Sequence, residues 1–295
     1  MNTLYDVPGP VTRRRTTIAT AVATVALIGL IVLALVQLGA HGQLDGDKWG
    51  PLFNPANPYF VAVWGALGVG LANTLLAAAL TLVAALAIGT LLAVARLSST
   101  RAYRWLVVSV IELLRGLPVV VSIYFASRVL PEVGISLPPL WYLVIGLTAY
   151  NCVLIAEILR SGVAALPRGQ TEAARAVGLT RLQTLRMILL PQAFRIMLPA
   201  LISQLVVIVK DTSLGFVIFG FSEFVRTANT VIQFFGGQLG INLALQMYVA
   251  VALVFILINY GLGKLAELVQ RRLARGGRAA AAVPVAPLVD VPTAA

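Results

Sequence analysis

The sequence predicts an all-α fold: a polytopic transmembrane helical bundle of about six spans with both termini in the cytoplasm. Three observations predict it. Of 295 residues, 59% are hydrophobic and only 11% charged, and mean hydropathy is +0.93. A soluble domain carries roughly 25% charged residues, so this chain lacks the polar surface that a water-soluble fold needs. The apolar residues also fall into long uncharged runs, and Lys and Arg gather at alternate ends of those runs.

The spans follow in order. Residues 18–38 are almost wholly aliphatic and follow Arg13, Arg14 and Arg15. That run exceeds the roughly 7–15 apolar residues of a secretory signal, and Leu38-Gly39-Ala40 is a poor cleavage site. It reads as a retained extra helix, 18–40, after a cytoplasmic arm, 1–17. Residues 41–62 form an external loop around the turn-rich Asn54-Pro55-Ala56-Asn57-Pro58. The second span is 63–95, and the third lies within 104–128 and carries Glu112 and Arg115. The fourth is 137–156, the fifth is 196–219 with Lys210 and Asp211 inside it, and the sixth is 242–263. Each is long enough for a hydrocarbon core about 30 Å thick. The runs lack the alternation of barrel strands, so they close their backbone hydrogen bonds as helices. Residues 276–295 read as a disordered tail rich in Ala, Pro and Val.

Charge placement sets the orientation. With the N-terminus inside, seventeen Lys and Arg residues face the cytoplasm and three (Lys48, Arg128 and Arg226) face outward, an asymmetry that the positive-inside rule expects. The net charge of +11 is therefore topological and does not signal nucleic acid. One cysteine, Cys152, and one histidine, His41, exclude a disulfide framework and leave no metal site. An intramembrane enzyme would need a nucleophile or metal set that is missing, so no catalytic residue is expected.

Charges within spans are costly and mark function. Glu112 and Arg115 stand three residues apart on one helix face, where they would pair. Lys210 and Asp211 are adjacent, so they point apart, and Thr212 and Ser213 follow them. These six residues are the candidate translocation pathway.

The long cytoplasmic loop, 163–195, reads as two short helices. Thr171 is expected to cap the first, Gly178 to end it in a left-handed turn, and Thr180 to cap the second. Pro191 should end or kink that second helix. Leu182, Leu185 and Leu189 give it an apolar stripe.

Glu172-Ala173-Ala174, then Gly178, Ile188 and Leu190-Pro191, resembles the "EAA" loop of ATP-binding-cassette (ABC) importer permeases residue for residue over 20 positions. Gly169-Gln170, Glu157-Ile158-Leu159-Arg160, Glu112-Leu113-Leu114-Arg115-Gly116-Leu117-Pro118 and Lys210-Asp211-Thr212-Ser213-Leu214 look like the polar-amino-acid branch. Residues 209–226 look most similar to glutamate-uptake permeases of high-GC Gram-positive bacteria. The resemblance covers residues 63–270, a five-span core, with the first helix as an addition. It implies an importer of a polar amino acid, glutamate first, in a bacterial plasma membrane. The loop residues Gly169, Gln170, Glu172, Ala173, Ala174, Gly178, Ile188, Leu190 and Pro191 would dock on an ABC ATPase dimer. It further implies a second permease subunit, different or identical, and an extracellular binding protein. This chain has no G-x-x-x-x-G-K-[ST] loop, so ATP and Mg would be bound by the partner ATPase, with no cofactor here. A secondary transporter would use span charges similarly but has no need of the 172–191 loop.

Overall fold

In a computed structural model, residues 9–98, 101–218 and 220–281 are described, and they are helical with no strand among them. Among the described residues, five helices are long and apolar enough to cross a membrane, or six if one sharply bent pair counts as a span. The chain divides into two compact units.

One unit comprises, of the described residues, 9–64 together with Ile232–Gln246. Its first helix, α1 (Pro10–Ala40), buries no residue. A helix that is apolar all round and uncovered by protein is what a lipid-facing span looks like. A short helix α2 (Gly46–Phe53) follows. Trp64 donates its indole N–H to the Leu52 carbonyl at 3.0 Å, and Tyr59 packs edge-on against Phe235 with centroids 5.1 Å apart.

The other unit comprises the described residues within Gly65–Val231 and those of 247–281. It holds most of α3 (Phe60–Ser98), α4 (Arg101–Gly116), α5 (Val119–Glu132), α6 (Pro139–Ala164), α7 (Arg168–Ala176), α8 (Arg181–Thr184) and α9 (Leu190–Asp211). Most of α11 (Ala244–Ala281) belongs to it too, while α10 (Phe224–Leu239) runs from this unit into the first. The central helix is α6, two-thirds buried along its apolar window. Ile111 of α4, Ile155 and Leu159 of α6 and Leu201 of α9 share one core cluster with Ala85 and Ala93 of α3. Ile123 of α5 and Leu143 and Leu147 of α6 anchor a second. The α5–α6 approach requires glycine, because a Cβ on Gly146 would lie 2.4 Å from the Ile123 Cα.

Two spans differ from the sequence reading. The third is broken: α4 and α5 meet at 99°. Pro118 disfavours helical backbone at Leu117 and itself stands as the extended N-cap of α5. The fifth changes character near its end. The 22-residue α9 is about 33 Å long and spans the core by itself, so Lys210 and Asp211 sit in its last turn. Beyond them Thr212–Val217 tightens into a 3-10 helix.

Candidate functional site

The loop between α6 and α9 is built by local sequence. Pro167, with φ fixed by its ring, is the N-cap of α7. The helix therefore starts ahead of Thr171, which lies inside it rather than capping it. At the other end Gly178 adopts φ +85°. The Leu179 N–H bonds the Ala174 carbonyl at 3.1 Å and the Gly178 N–H bonds the Arg175 carbonyl at 3.0 Å, a Schellman closure that a Cβ would strain. Thr180 caps α8 as expected, in a capping box with Gln183. Pro191 does not end that helix. A π turn over Leu185–Leu189 joins α8 to α9, and Pro191 sits in the first turn of α9, where a missing N–H costs little.

Leu185, Leu189 and Leu190 are buried against Val94, Leu97, Val163 and Leu166, which seats the loop beneath the ends of α3 and α6. Leu182, expected on the same stripe, is 38% exposed. Among the sequence-selected loop residues, Ala174 and Leu190 point inward. Gln170 and Ile188 are half-buried, and Gly169, Glu172, Ala173, Gly178 and Pro191 are exposed. Val177 and Met187 are exposed beside them at 78% and 67%. The loop thus exposes both apolar and polar side chains, Glu172 and Ala173 among them. Gln192, which the sequence reading passed over, exchanges two side-chain hydrogen bonds with Gln170, at 3.0 and 2.9 Å.

The candidate pathway residues fall into two groups. Glu112 and Arg115 are exposed on α4 and do not form the ion pair expected from their spacing. Arg115 instead lines a cavity of about 250 Å3 with Ile111, Glu157, Ser161 and Gln204. Glu157 is bonded to Arg160 on its own helix and to Arg96 of α3, the latter at 2.8 Å. Gln204, beside them, is buried and donates to the Asn151 carboxamide oxygen at 2.7 Å. Polar residues at these span positions were the available signal, but their convergence depends on helix rotation.

Lys210 lies about 9 Å further along α9 than Gln204, at 1.5 Å per residue. Its side chain is exposed, Asp211 and Ser213 are half-buried, and Thr212 is fully buried. The Thr212 hydroxyl donates to the Val209 carbonyl at 2.6 Å and that of Ser213 to the Lys210 carbonyl at 2.7 Å. These hydroxyls close the helix end. The segment that follows is clasped onto α3: Asn73 donates to the Ser222 carbonyl at 2.9 Å, and Thr74 accepts from the Phe224 N–H at 3.0 Å. Glu223, fully buried, accepts from the N–H groups of Val225 and Arg226 at 2.7 and 2.6 Å. Its carboxyl is pushed up to about 7 because burial outweighs those bonds. Arg226 returns the contact, donating to the Ile218 carbonyl at 2.7 Å.

The family profile described as the binding-protein-dependent transport system inner membrane component matches residues 85–275. The chain belongs to this family. It is 41% identical over 82% of its length to the glutamate transport system permease protein GluD of Corynebacterium glutamicum, covering 85% of that protein. It is 33% identical over 69% of its length to the probable glutamine ABC transporter permease protein GlnP of Bacillus subtilis, covering 90% of it. A crystal structure of an amino acid ABC transporter with histidines superposes with a TM-score of 0.63 at 27% identity, over 72% of this chain and 96% of that one. The chain is therefore a multi-pass bacterial plasma-membrane protein, the permease of an amino-acid ABC importer. The resemblance read from the loop and the span motifs is borne out at that level.

Proposed function

We propose that this permease imports an acidic amino acid, glutamate before aspartate, by alternating access driven by ATP hydrolysis in a separate subunit. The observation that carries the reading is the 41% identity over 82% of the chain to a permease named for glutamate transport. The Arg115–Glu157–Gln204 cavity supports it: Arg96, Arg115 and Arg160 surround a single carboxylate, so an anion passing there meets excess positive charge. Lys210, Asp211 and Ser213 line the outer part of the path in this reading, while Thr212, expected with them, is buried and closes the helix end. The exposed Glu172–Ala173 face of α7 docks on an ABC ATPase dimer that holds ATP and Mg. A second permease subunit completes the pore, an extracellular binding protein delivers the substrate, and both termini lie in the cytoplasm.

The test is competition. Labelled glutamate uptake is measured in proteoliposomes carrying the complete complex, with excess aspartate, glutamine, arginine or histidine. Aspartate alone should compete strongly. Full competition by glutamine or arginine, with none by aspartate, would replace the acidic substrate by a broader polar one.

A further inference from the structure

The coupling loop is fastened to the bundle unevenly. On the α8 side the attachment is apolar and dense, through Leu185, Leu189 and Leu190. Beneath α7 there is instead a cavity of about 190 Å3, lined by Thr171 and Arg175 of α7, by Arg181, Thr184, Leu185 and Leu189, and by Leu97 and Val163 of the spans above. Side chains facing a void forfeit the contacts that would fix their position. Of α7, only Ala174 is buried. Packing therefore fixes this helix less firmly than it fixes the α8 side.

What holds it is polar. The Gln170 Nε2 donates to Gln192 Oε1 at 3.0 Å, and the Gln192 Nε2 donates to Gln170 Oε1 at 2.9 Å. Two carboxamides meet head to head, each donor filled by the other's acceptor, across 22 residues of chain. The Gln192 Nε2 also reaches the Ile188 carbonyl at 2.9 Å, which pins that side chain to the π turn. Both residues are half-buried, so water competes only partly for these bonds. Among the described residues these are the side-chain hydrogen bonds that join α7 to a membrane-spanning helix.

We propose that the Gln170–Gln192 amide pair is the joint that makes the coupling helix α7 move as one body with α9, and that Gln192 is thereby a positioning residue for coupling. The proposal rests on the importer reading above. It differs from simple stabilisation of the loop, because the linkage needs only a complementary pair at these two positions, whatever its chemistry.

The experiment uses the complete complex in proteoliposomes with its binding protein, and reads substrate moved per ATP hydrolysed. Gln192→Leu should lower that ratio about tenfold, the factor set by losing both amide bonds, and Gln192→Glu and Gln170→Arg, which each keep one donor–acceptor contact, should lower it about threefold. The double variant Gln170→Arg/Gln192→Glu, which rebuilds the link as an ion pair, should return to within about twofold of wild type. Wild-type ratios in the single variants, or no recovery in the double, overturn the joint. A second arm needs no partner: amide hydrogen exchange over 168–176 in the full chain in nanodiscs. Gln192→Leu should speed it about tenfold by the same loss of bonds, and unchanged exchange overturns the proposal. Wild-type complexes that hydrolyse ATP without moving substrate would bring down the importer reading alone, and the exchange arm would still decide the joint.

Discussion

At the residue scale, the Asn151–Gln204 pair is a buried amide contact that satisfies itself, so neither side chain is left as an unpaired amide, which would cost about 1–3 kcal/mol. Lys210 is different, because its ammonium is exposed in the last turn of α9 and nothing in the packing there requires a cation. Lys210→Met should therefore leave assembly of the complex intact while lowering uptake per assembled complex several-fold. Quantifying uptake against co-purified subunits checks this, and reduced assembly at unchanged uptake per complex would reassign Lys210 to structure. Glu223 makes a pH prediction. Its carboxyl is raised by burial to about 7, so the folded protein holds that proton more tightly than the unfolded chain does. The associated stability is fully present below the ordinary carboxylate range and is lost as pH rises through about 7. Melting temperature in detergent should fall between pH 5 and 8, and Glu223→Gln should flatten the change.

At the element scale, helix ends decide more than helix interiors. The 163–195 loop takes its shape because α7 stops at a left-handed glycine and α8 restarts three residues later on a capping box. Gly178→Leu forces a branched side chain into a positive-φ turn, a strain of about 1–2 kcal/mol. Nothing lies within 4 Å of a Cβ built there, so the penalty is conformational and not a clash. The variant should still insert, yet retain several-fold less ATPase subunit on co-purification and lose substrate stimulation of hydrolysis. Normal values of both would remove the loop from the coupling mechanism. The Pro118 break between α4 and α5 is a second decisive terminus, since it turns one expected span into two helices.

At the scale of the whole molecule, orientation is the claim most open to direct measurement. With the N-terminus inside, as proposed, seventeen basic residues would face the cytoplasm and three the outside, which would put the 163–195 loop inside and Arg128 outside. A cysteine introduced at Arg128 should react with a membrane-impermeant maleimide on intact cells. One introduced at Glu172 should react only after permeabilisation. Background is low because Cys152, the sole native cysteine, is 2% exposed, and the opposite labelling pattern would invert the topology.

The sequence by itself determined the membrane class, the approximate positions of the spans, and the local structure of the 163–195 loop with its Gly178 turn and Thr180 cap. Each of these depends on composition, on hydropathy over about 20 residues, or on hydrogen bonds within a few residues of each other, all of which a linear reading contains. It misplaced the cap at Thr171 and the helix end at Pro191 because helix starts compete locally: a proline four residues upstream won the first, and a π turn carried the chain past the second. Only the tertiary structure decided that Arg115 faces Glu157 and Gln204 instead of pairing with Glu112, and that Gln170 reaches Gln192. Those contacts join separate helices, and which faces meet is fixed by rotation and close packing, such as the approach of α5 to Gly146. No spacing along one chain segment encodes that rotation.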